Sequence, residues 1–406
     1  MRKDLKEYSK MSAQDVEEAL SFCVKQIYTV LPEFTDLFQN THSEDNFYKP
    51  IGNTNWTNGF WTGEIWLAYE FVKDNPQKIK ALLGEEPEVL LEKFLHAAKV
   101  QIASFSNRIE QKINVNHHDM GFLYSPSCVA GYKLIGSMEG REAAILAAEQ
   151  LITRYQEKGE FIQAWGKLGS PTQYRLIIDC LVNLPLLYWT SEETGDEKYR
   201  IIAEKHIHTA VSNVIREDYS TYHTFFFNPE TGEPDHGETH QGYRANSAWA
   251  RGQAWGIYGL AMAYRYTRRE SYIDLFKNVT AYFCNHLPED LCPFWDFEFN
   301  DGDDQPRDSS SASIAACGML EMAKYLPEED AEYYRCLASK LIKALFEHYA
   351  VKDLTKSNGL VLGSTYANSS PYNTCSTIGV NECNIWGDYY YMEALTRMSK
   401  NWEQYW

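Results

Sequence analysis

The 406 residues are 44% hydrophobic, 23% charged and 14% aromatic, a composition able to build a large core and unlike that of a disordered chain. The formal net charge of −18 argues against nucleic acid or an anionic membrane as a partner, because both are bound through clusters of Lys and Arg. An anionic small substrate stays possible, but only with local positive potential.

The first twenty residues, MRKDLKEYSKMSAQDVEEAL, carry basic charge without an apolar stretch, so no export signal is expected. Apolar runs such as Ala143 to Ala148 are broken well short of a membrane span. The nine cysteines include no C-x-x-C pair and suit a reducing, cytoplasmic location better than a disulfide framework or a zinc site.

Apolar residues recur at helical spacing in twelve stretches. In chain order they run from Ala13 to Val30, Trp61 to Lys73, Pro87 to Asn107, Pro126 to Ser137, Glu142 to Tyr155 and Leu176 to Glu193. The second six run from Asp196 to Val214, Ala248 to Thr267, Glu270 to Leu287, Ser311 to Tyr325, Glu328 to Tyr349 and Trp386 to Ser399. In several pairs a helix rich in Ala, Gly, Cys and aromatics sits beside one rich in Lys and Glu, which reads as a buried helix next to an amphipathic one. Repetition of such pairs every ~55 to 75 residues predicts an all-α, (α/α)6 barrel, a toroid of six helical hairpins forming a single domain over residues 1–406. The long irregular stretches Leu31 to Gly59, Thr221 to Ser247 and Pro288 to Ser310 are expected to wall the mouth of the barrel.

Two segments place an aspartate shortly before a proline in successive repeats: NVNHHDMGFLYSP with Asp119, and YRLIIDCLVNLP with Asp179. Superposed repeats would bring both carboxylates to one rim. Asp179 lies in an apolar run, a desolvating setting that raises a carboxyl pKa. Helix capping is the competing reading for both residues. The segment HQGYRANSAWARGQAWGIYG adds Gln241, Trp249, Arg251 and Trp255, polar forks and indole faces suited to a sugar pocket, with Arg251 a carboxylate partner. A core helix with a structural ion pair is the alternative. Further aromatics near predicted helix starts include Trp56, Trp61, Trp165, Trp295 and Trp386. No histidine spacing fits a metal site, and the adjacent His117 and His118 are expected to diverge rather than converge on one ion; no metal and no cofactor are expected. Without a nucleophile elbow, a Walker loop or a dinucleotide fingerprint, acid/base hydrolysis by carboxylates is the chemistry best supported.

The segments HHDMGF, IIDCLVNLPLLYW, RGQAWGIYG, DSSSAS and IWGDYYYMEAL together resemble those of glycoside hydrolase family 88, the unsaturated glucuronyl hydrolases, over about Asn55 to Arg397. The resemblance implies an (α/α)6 barrel and hydration of the C4=C5 bond of an unsaturated uronic acid at the non-reducing end of a lyase-generated oligosaccharide, the only partner expected. It gives Asp179 the principal acid/base position and Asp119 the second aspartate. By the same resemblance His223, Gln241, Arg251 and Trp255 hold substrate or water, and Trp61, Trp165 and Trp249 wall the site. A Ser-x-x-Ser-x-Lys stretch that grips sulfate in some members corresponds here to Asn373, Ser376 and Ile378, so that Ser376 is kept and the lysine is lost. Unsaturated rhamnogalacturonyl hydrolases share this barrel and chemistry. A sugar epimerase with His223 or His240 as proton carrier, or a non-catalytic sugar-binding protein, are the other readings. Oligomeric state is not legible.

Overall fold

Ser12 starts the first helix: its hydroxyl accepts from the Asp15 N–H while the Asp15 carboxylate accepts from the Ser12 N–H, a reciprocal cap at the point where the apolar periodicity begins. The structure, a computed structural model, describes residue 5 and residues 7–406; the part of the N-terminal expectation that falls on residues 1–4 and 6 lies outside the described residues. The helices are α1 (Ala13–Val30), α2 (Asn58–Asp74), α3 (Pro76–Leu83), α4 (Pro87–Glu110), α5 (Met120–Tyr124), α6 (Ala130–Ile135) and α7 (Met138–Ile152). They continue with α8 (Pro185–Thr194), α9 (Lys198–Val214), α10 (Ala250–Thr267), α11 (Ser271–Asn285), α12 (Ser309–Met322), α13 (Glu328–His348) and α14 (Ile385–Ser399).

They form the expected toroid. An inner ring passes from α2 through α5, α6 and α8 to α10, α12 and α14, and closes by packing α14 on α2. Every residue of α12 is buried, as are Ala250–Tyr264 of α10 and Ile385–Arg397 of α14, which is why these segments are rich in small and aromatic side chains. The outer helices α1, α4, α7, α9, α11 and α13 bury one stripe and expose the other. At one end the chain terminus helps close the ring: the indole N–H of Trp406 donates to Glu393, and the guanidinium of Arg397 binds both Glu321 and Glu393.

Two local expectations need correction. The helix expected over Pro126 to Ser137 starts earlier and is irregular: α5 precedes it, a π turn (Ser125–Val129) follows where Pro126 has no N–H to donate and Ser127 turns its hydroxyl onto the Leu123 carbonyl, and α6 completes it. The helix expected over Leu176 to Glu193 begins instead as a strand, Arg175–Ile177, paired antiparallel with Thr224–Phe227, then a 3-10 turn, Ile178–Val182, and only then α8. The β-branched run there suits a strand as well as a helix. Four small sheets and α3 had no counterpart in the sequence reading.

Inner elements α2, α5, α10, α12 and α14 all begin at the same end, opposite the Arg397 network. Trp56 just before α2, Asp119 just before α5 and Trp249 and Arg251 at the start of α10 line one cleft there.

Candidate active site

Asn183 brings the two aspartate-bearing segments together. Its side-chain oxygen accepts from the Phe122 N–H at 2.8 Å, and its amide donates to the Asp179 carbonyl at 3.2 Å. Gly121 makes this approach possible, since a Cβ there would stand 2.5 Å from the Asn183 Cα.

Asp119 occupies the N-cap position of α5, yet its carboxylate makes no capping hydrogen bond. Instead it lies 3.0 Å from Nδ1 of His117 and 3.4 Å from Nε2 of His118. The same Nε2 is 3.5 Å from Oδ1 of Asp179, an oxygen that is buried and has no hydrogen-bond partner. Both histidines lie against the Asp119 carboxylate, but they do not converge on one point: only His118 reaches both aspartates, while His117 turns its Nε2 to the Asn114 carbonyl and accepts the Asp119 N–H at its Nδ1. Burial, then the Asp119 charge, push the Asp179 carboxyl well above its usual range. Burial opposes ionisation of Asp119 too, but His118, His117 and Arg154 outweigh it and hold this carboxyl below its usual range. Burial pulls His118 down to about 4, so near neutrality its ring is neutral and carries a single N–H; neither ring nitrogen has a hydrogen-bond partner. The surroundings thus favour the proton on Asp179 and the charge on Asp119.

These groups line a cavity of about 200 Å³ that also receives Trp165, His223, Gln241, Trp249, Arg251 and Trp255. A larger groove, about 450 Å³, lies near the end of α14, where Lys400 and Lys78 are already paired with Asp74 and Glu17. In the aspartate cavity, Nδ1 of His223 accepts the His240 N–H at 2.9 Å, which assigns the ring proton to Nε2. Burial keeps His223 well below its ordinary value, so it is a neutral donor. His240 is half-buried at the mouth, where its Nδ1 meets the Thr374 hydroxyl at 2.8 Å. Trp255 forms a floor against Phe122, and the half-buried Trp165 meets His118 and His240 edge-on.

Arg251 lines the cavity, and its terminal nitrogens are engaged within the protein. Its Nη1 donates to Asp308 at 2.5 Å and to the Thr365 carbonyl, and its Nη2 donates to the Tyr366 carbonyl and to Oε1 of Gln241 at 3.3 Å. Stacked between Trp249 and Trp386, it is the structural ion pair of the alternative reading, with one consequence for binding: it fixes Gln241 so that the amide NH2 is turned away from it.

Trp61 is not a wall. It is fully buried, with its indole N–H donated to the Phe34 carbonyl. Trp56, five residues earlier, takes that place, stacked on Trp386 and bonded through its N–H to the Tyr366 hydroxyl. Ser376 is exposed on the loop before the strand Ile378–Glu382 and does not line the cavity. His118 and Tyr366 were not chosen from the sequence; the HHD triplet was the available sign of the first, and nothing marked the second.

The donor atoms of His118, Asp119 and Asp179 lie within 4.8 Å of one another, a set of types that a divalent ion accepts. A carboxyl held protonated is a poor ligand, however, and the set fits proton exchange better.

A helical toroid with two carboxyls side by side in an aromatic cleft, their pKa values pushed in opposite directions, defines a carbohydrate-active enzyme of the acid/base type. The chain belongs to Glycosyl Hydrolase Family 88, whose model matches residues 30–404. It is 47% identical over 398 residues to the unsaturated chondroitin disaccharide hydrolase of Streptococcus pneumoniae, covering 98% of this chain and 95% of the other. The crystal structure of the unsaturated glucuronyl hydrolase from Streptococcus agalactiae superposes with a TM-score of 0.90 at 46% identity, covering 98% and 95% of the two chains. A mutant of that enzyme complexed with dGlcA-GalNAc6S gives 0.83 at 42% identity, covering 99% and 96%.

Proposed function

We infer that the protein is an unsaturated glucuronyl hydrolase that releases the 4,5-unsaturated uronic acid from the non-reducing end of glycosaminoglycan-type oligosaccharides by hydrating the C4=C5 bond. The observation that carries the mechanism is the single imidazole of His118 set 3.4 Å from Asp119 and 3.5 Å from Asp179, two carboxyls whose surroundings push their pKa values in opposite directions.

Asp179 donates its proton to C4, leaving positive charge at C5 and the ring oxygen. The Asp179 carboxylate so formed then takes a proton from the water that attacks C5. The hemiketal that results opens and releases the remaining saccharide. Asp119, kept ionised, raises Asp179 in the resting state and accepts hydrogen bonds from substrate hydroxyls. The Nε2–H of His223 and the amide of Gln241 hold substrate or water, and Trp56, Trp165, Trp249 and Trp255 supply apolar faces for the sugar ring. Arg251 acts on substrate through Gln241. A neutral His223 with Nδ1 already engaged is poorly placed as the proton carrier of an epimerase.

A cytoplasmic site of action is supported by nine cysteines present as free thiols. No helix is long and apolar enough to cross a membrane among the described residues. The test of function is incubation with lyase-generated disaccharides from chondroitin, hyaluronan and heparin, following the ultraviolet absorbance of the conjugated double bond. Loss of that absorbance is the expected result; a sugar-binding protein or an epimerase leaves it unchanged.

A further inference from the structure

Near the cavity most arginines have their donors engaged. Arg251 has both terminal nitrogens engaged, by Asp308, two carbonyls and Gln241, while Arg154 donates to Gln163, Asn116 and Gly166. Arg175 differs. Its guanidinium lies 4.7 Å from the ring centre of Trp165 and 5.2 Å from that of Phe226, its cross-strand partner, and forms no ion pair or hydrogen bond among the described residues. Its Nε is buried without an acceptor. Two aromatic faces thus strip water from a cation and fix its plane, but give it no counter-charge, in a protein with a large excess of acids.

Its place connects it to the reaction. Arg175 begins the strand that leads into Asp179, and Trp165, on which it stacks, is the wall that meets His118 and His240 edge-on. The positive charge reaches His118, His223 and His240, each of which it disfavours in the protonated form. Yet Arg175 does not line the cavity itself. A space of about 200 Å³ is small beside typical ligand pockets of roughly 300–1,000 Å³, so it suits the unsaturated ring while the rest of the saccharide leaves past the half-buried rim of Trp165 and His240.

We propose that Arg175 is the anion-recognition residue of the pocket mouth, where its guanidinium, clamped between Trp165 and Phe226, receives the acidic substituent of the saccharide that follows the unsaturated residue. That substituent is a planar or tetrahedral oxyacid, a sulfate ester on the adjoining sugar or the carboxylate of the next uronate, and the fork of an arginine suits either. Cross-strand packing alone explains the aromatic contacts but not the orphaned Nε or the absent counter-ion. The proposal rests on the glycosidase reading above.

The test compares kcat/KM of the wild type, Arg175→Gln and Arg175→Lys on an unsulfated unsaturated disaccharide, its 4-sulfated and 6-sulfated forms, and an unsulfated unsaturated tetrasaccharide. For each anionic extension the readout is the ratio to the unsulfated disaccharide, so a general loss of packing cancels. Arg175→Gln should lower at least one ratio by roughly tenfold, mainly through KM, with Arg175→Lys intermediate. A fall for a sulfated disaccharide identifies sulfate; a fall for the tetrasaccharide alone identifies the carboxylate. The affected KM should also rise with salt in the wild type and lose most of that dependence in Arg175→Gln. Unchanged ratios for all three substrates overturn the proposal, as does a wild type that turns over none of them. Failure of the wild type on the unsulfated disaccharide as well would instead strike the assigned reaction.

Discussion

Asp119 and Asp179 meet through one imidazole: Nε2 of His118 stands 3.4 Å from the first and 3.5 Å from the second. A neutral ring has one proton for two carboxyls, so the pair cannot be symmetrically satisfied. The excess proton is expected on Asp179, where burial is compounded by the neighbouring charge.

Asp179→Asn should therefore abolish turnover while leaving folding and substrate binding largely intact, because the amide keeps the shape but cannot shuttle the proton. General acid/base catalysis contributes about 10² to 10⁴ in rate, so activity above about one per cent of wild type would refute the assignment. Asp119→Asn should also be severely impaired. Near-normal turnover in that variant would reduce Asp119 to the N-cap residue that its position in α5 suggests.

The pH profile follows from the same pair. Asp179 must begin protonated, so activity falls as pH rises through its elevated pKa. On the acid side activity falls as Asp119 takes up a proton. The residual activity of Asp119→Asn should have its alkaline limb displaced to lower pH, since a charge that raises Asp179 is gone, but the limb should stay above the ordinary carboxyl range because burial is the larger cause. An unmoved limb would show that the two carboxyls do not interact.

Chelation separates proton exchange from metal chemistry at the same donors. Prolonged treatment with a chelator, followed by assay in chelated buffer, should leave kcat/KM unchanged. A loss restored by one divalent ion would reassign His118, Asp119 and Asp179 as ligands.

Much of the ring was legible because an inner helix buried all round and an outer helix buried on one stripe leave different compositions, as in α12 and α13. Leu176 to Glu193 was not, since its aliphatic run satisfies either period and the deciding partner, Thr224–Phe227, lies far along the chain. The same limit applied to the site. Asp119 and Asp179 stood out as charges in apolar or repeated settings, whereas the choice between Trp56 and Trp61 depended on which way α2 turns its first residues. Arg251 illustrates a further limit: its charge was visible, but Asp308, which uses it, could be located only by closing the barrel.

Arg251→Ala should consequently cost both binding and stability. Gln241 loses its anchor, which raises KM, and Asp308 is left as an unpaired buried charge, a change of the kind that costs about 3–5 kcal/mol. An unchanged Michaelis constant would contradict the first effect, and an unchanged melting temperature the second.

Sulfate preference at the 6-position turns on the loop between the strands Ser364–Ala367 and Ile378–Glu382. On the alignment that gives Asn373, Ser376 and Ile378 in place of Ser, Ser and Lys, the full positive charge is missing. Two of the neighbouring hydroxyls are already engaged: Ser370 donates to the Tyr243 carbonyl and accepts from the Tyr372 and Asn373 N–H groups, and the Thr374 hydroxyl is bonded to His240, while the exposed Ser369 offers a hydroxyl but no charge. The amide nitrogen of Asn373 is spent on the carbonyls of Gly242 and Asn368. Ser376 is exposed but brings no charge to offset sulfate desolvation. Unsulfated chondroitin or hyaluronan disaccharides should therefore be turned over with higher kcat/KM than the 6-sulfated form. Ile378 is 39% exposed and in the strand that pairs with Ala367, so Ile378→Lys loses little packing and should improve the sulfated substrate selectively. Side-by-side kinetics in which the wild type prefers the 6-sulfated disaccharide would overturn this reading of the loop and place the recognition of sulfate on other residues, with Arg175 the first to examine.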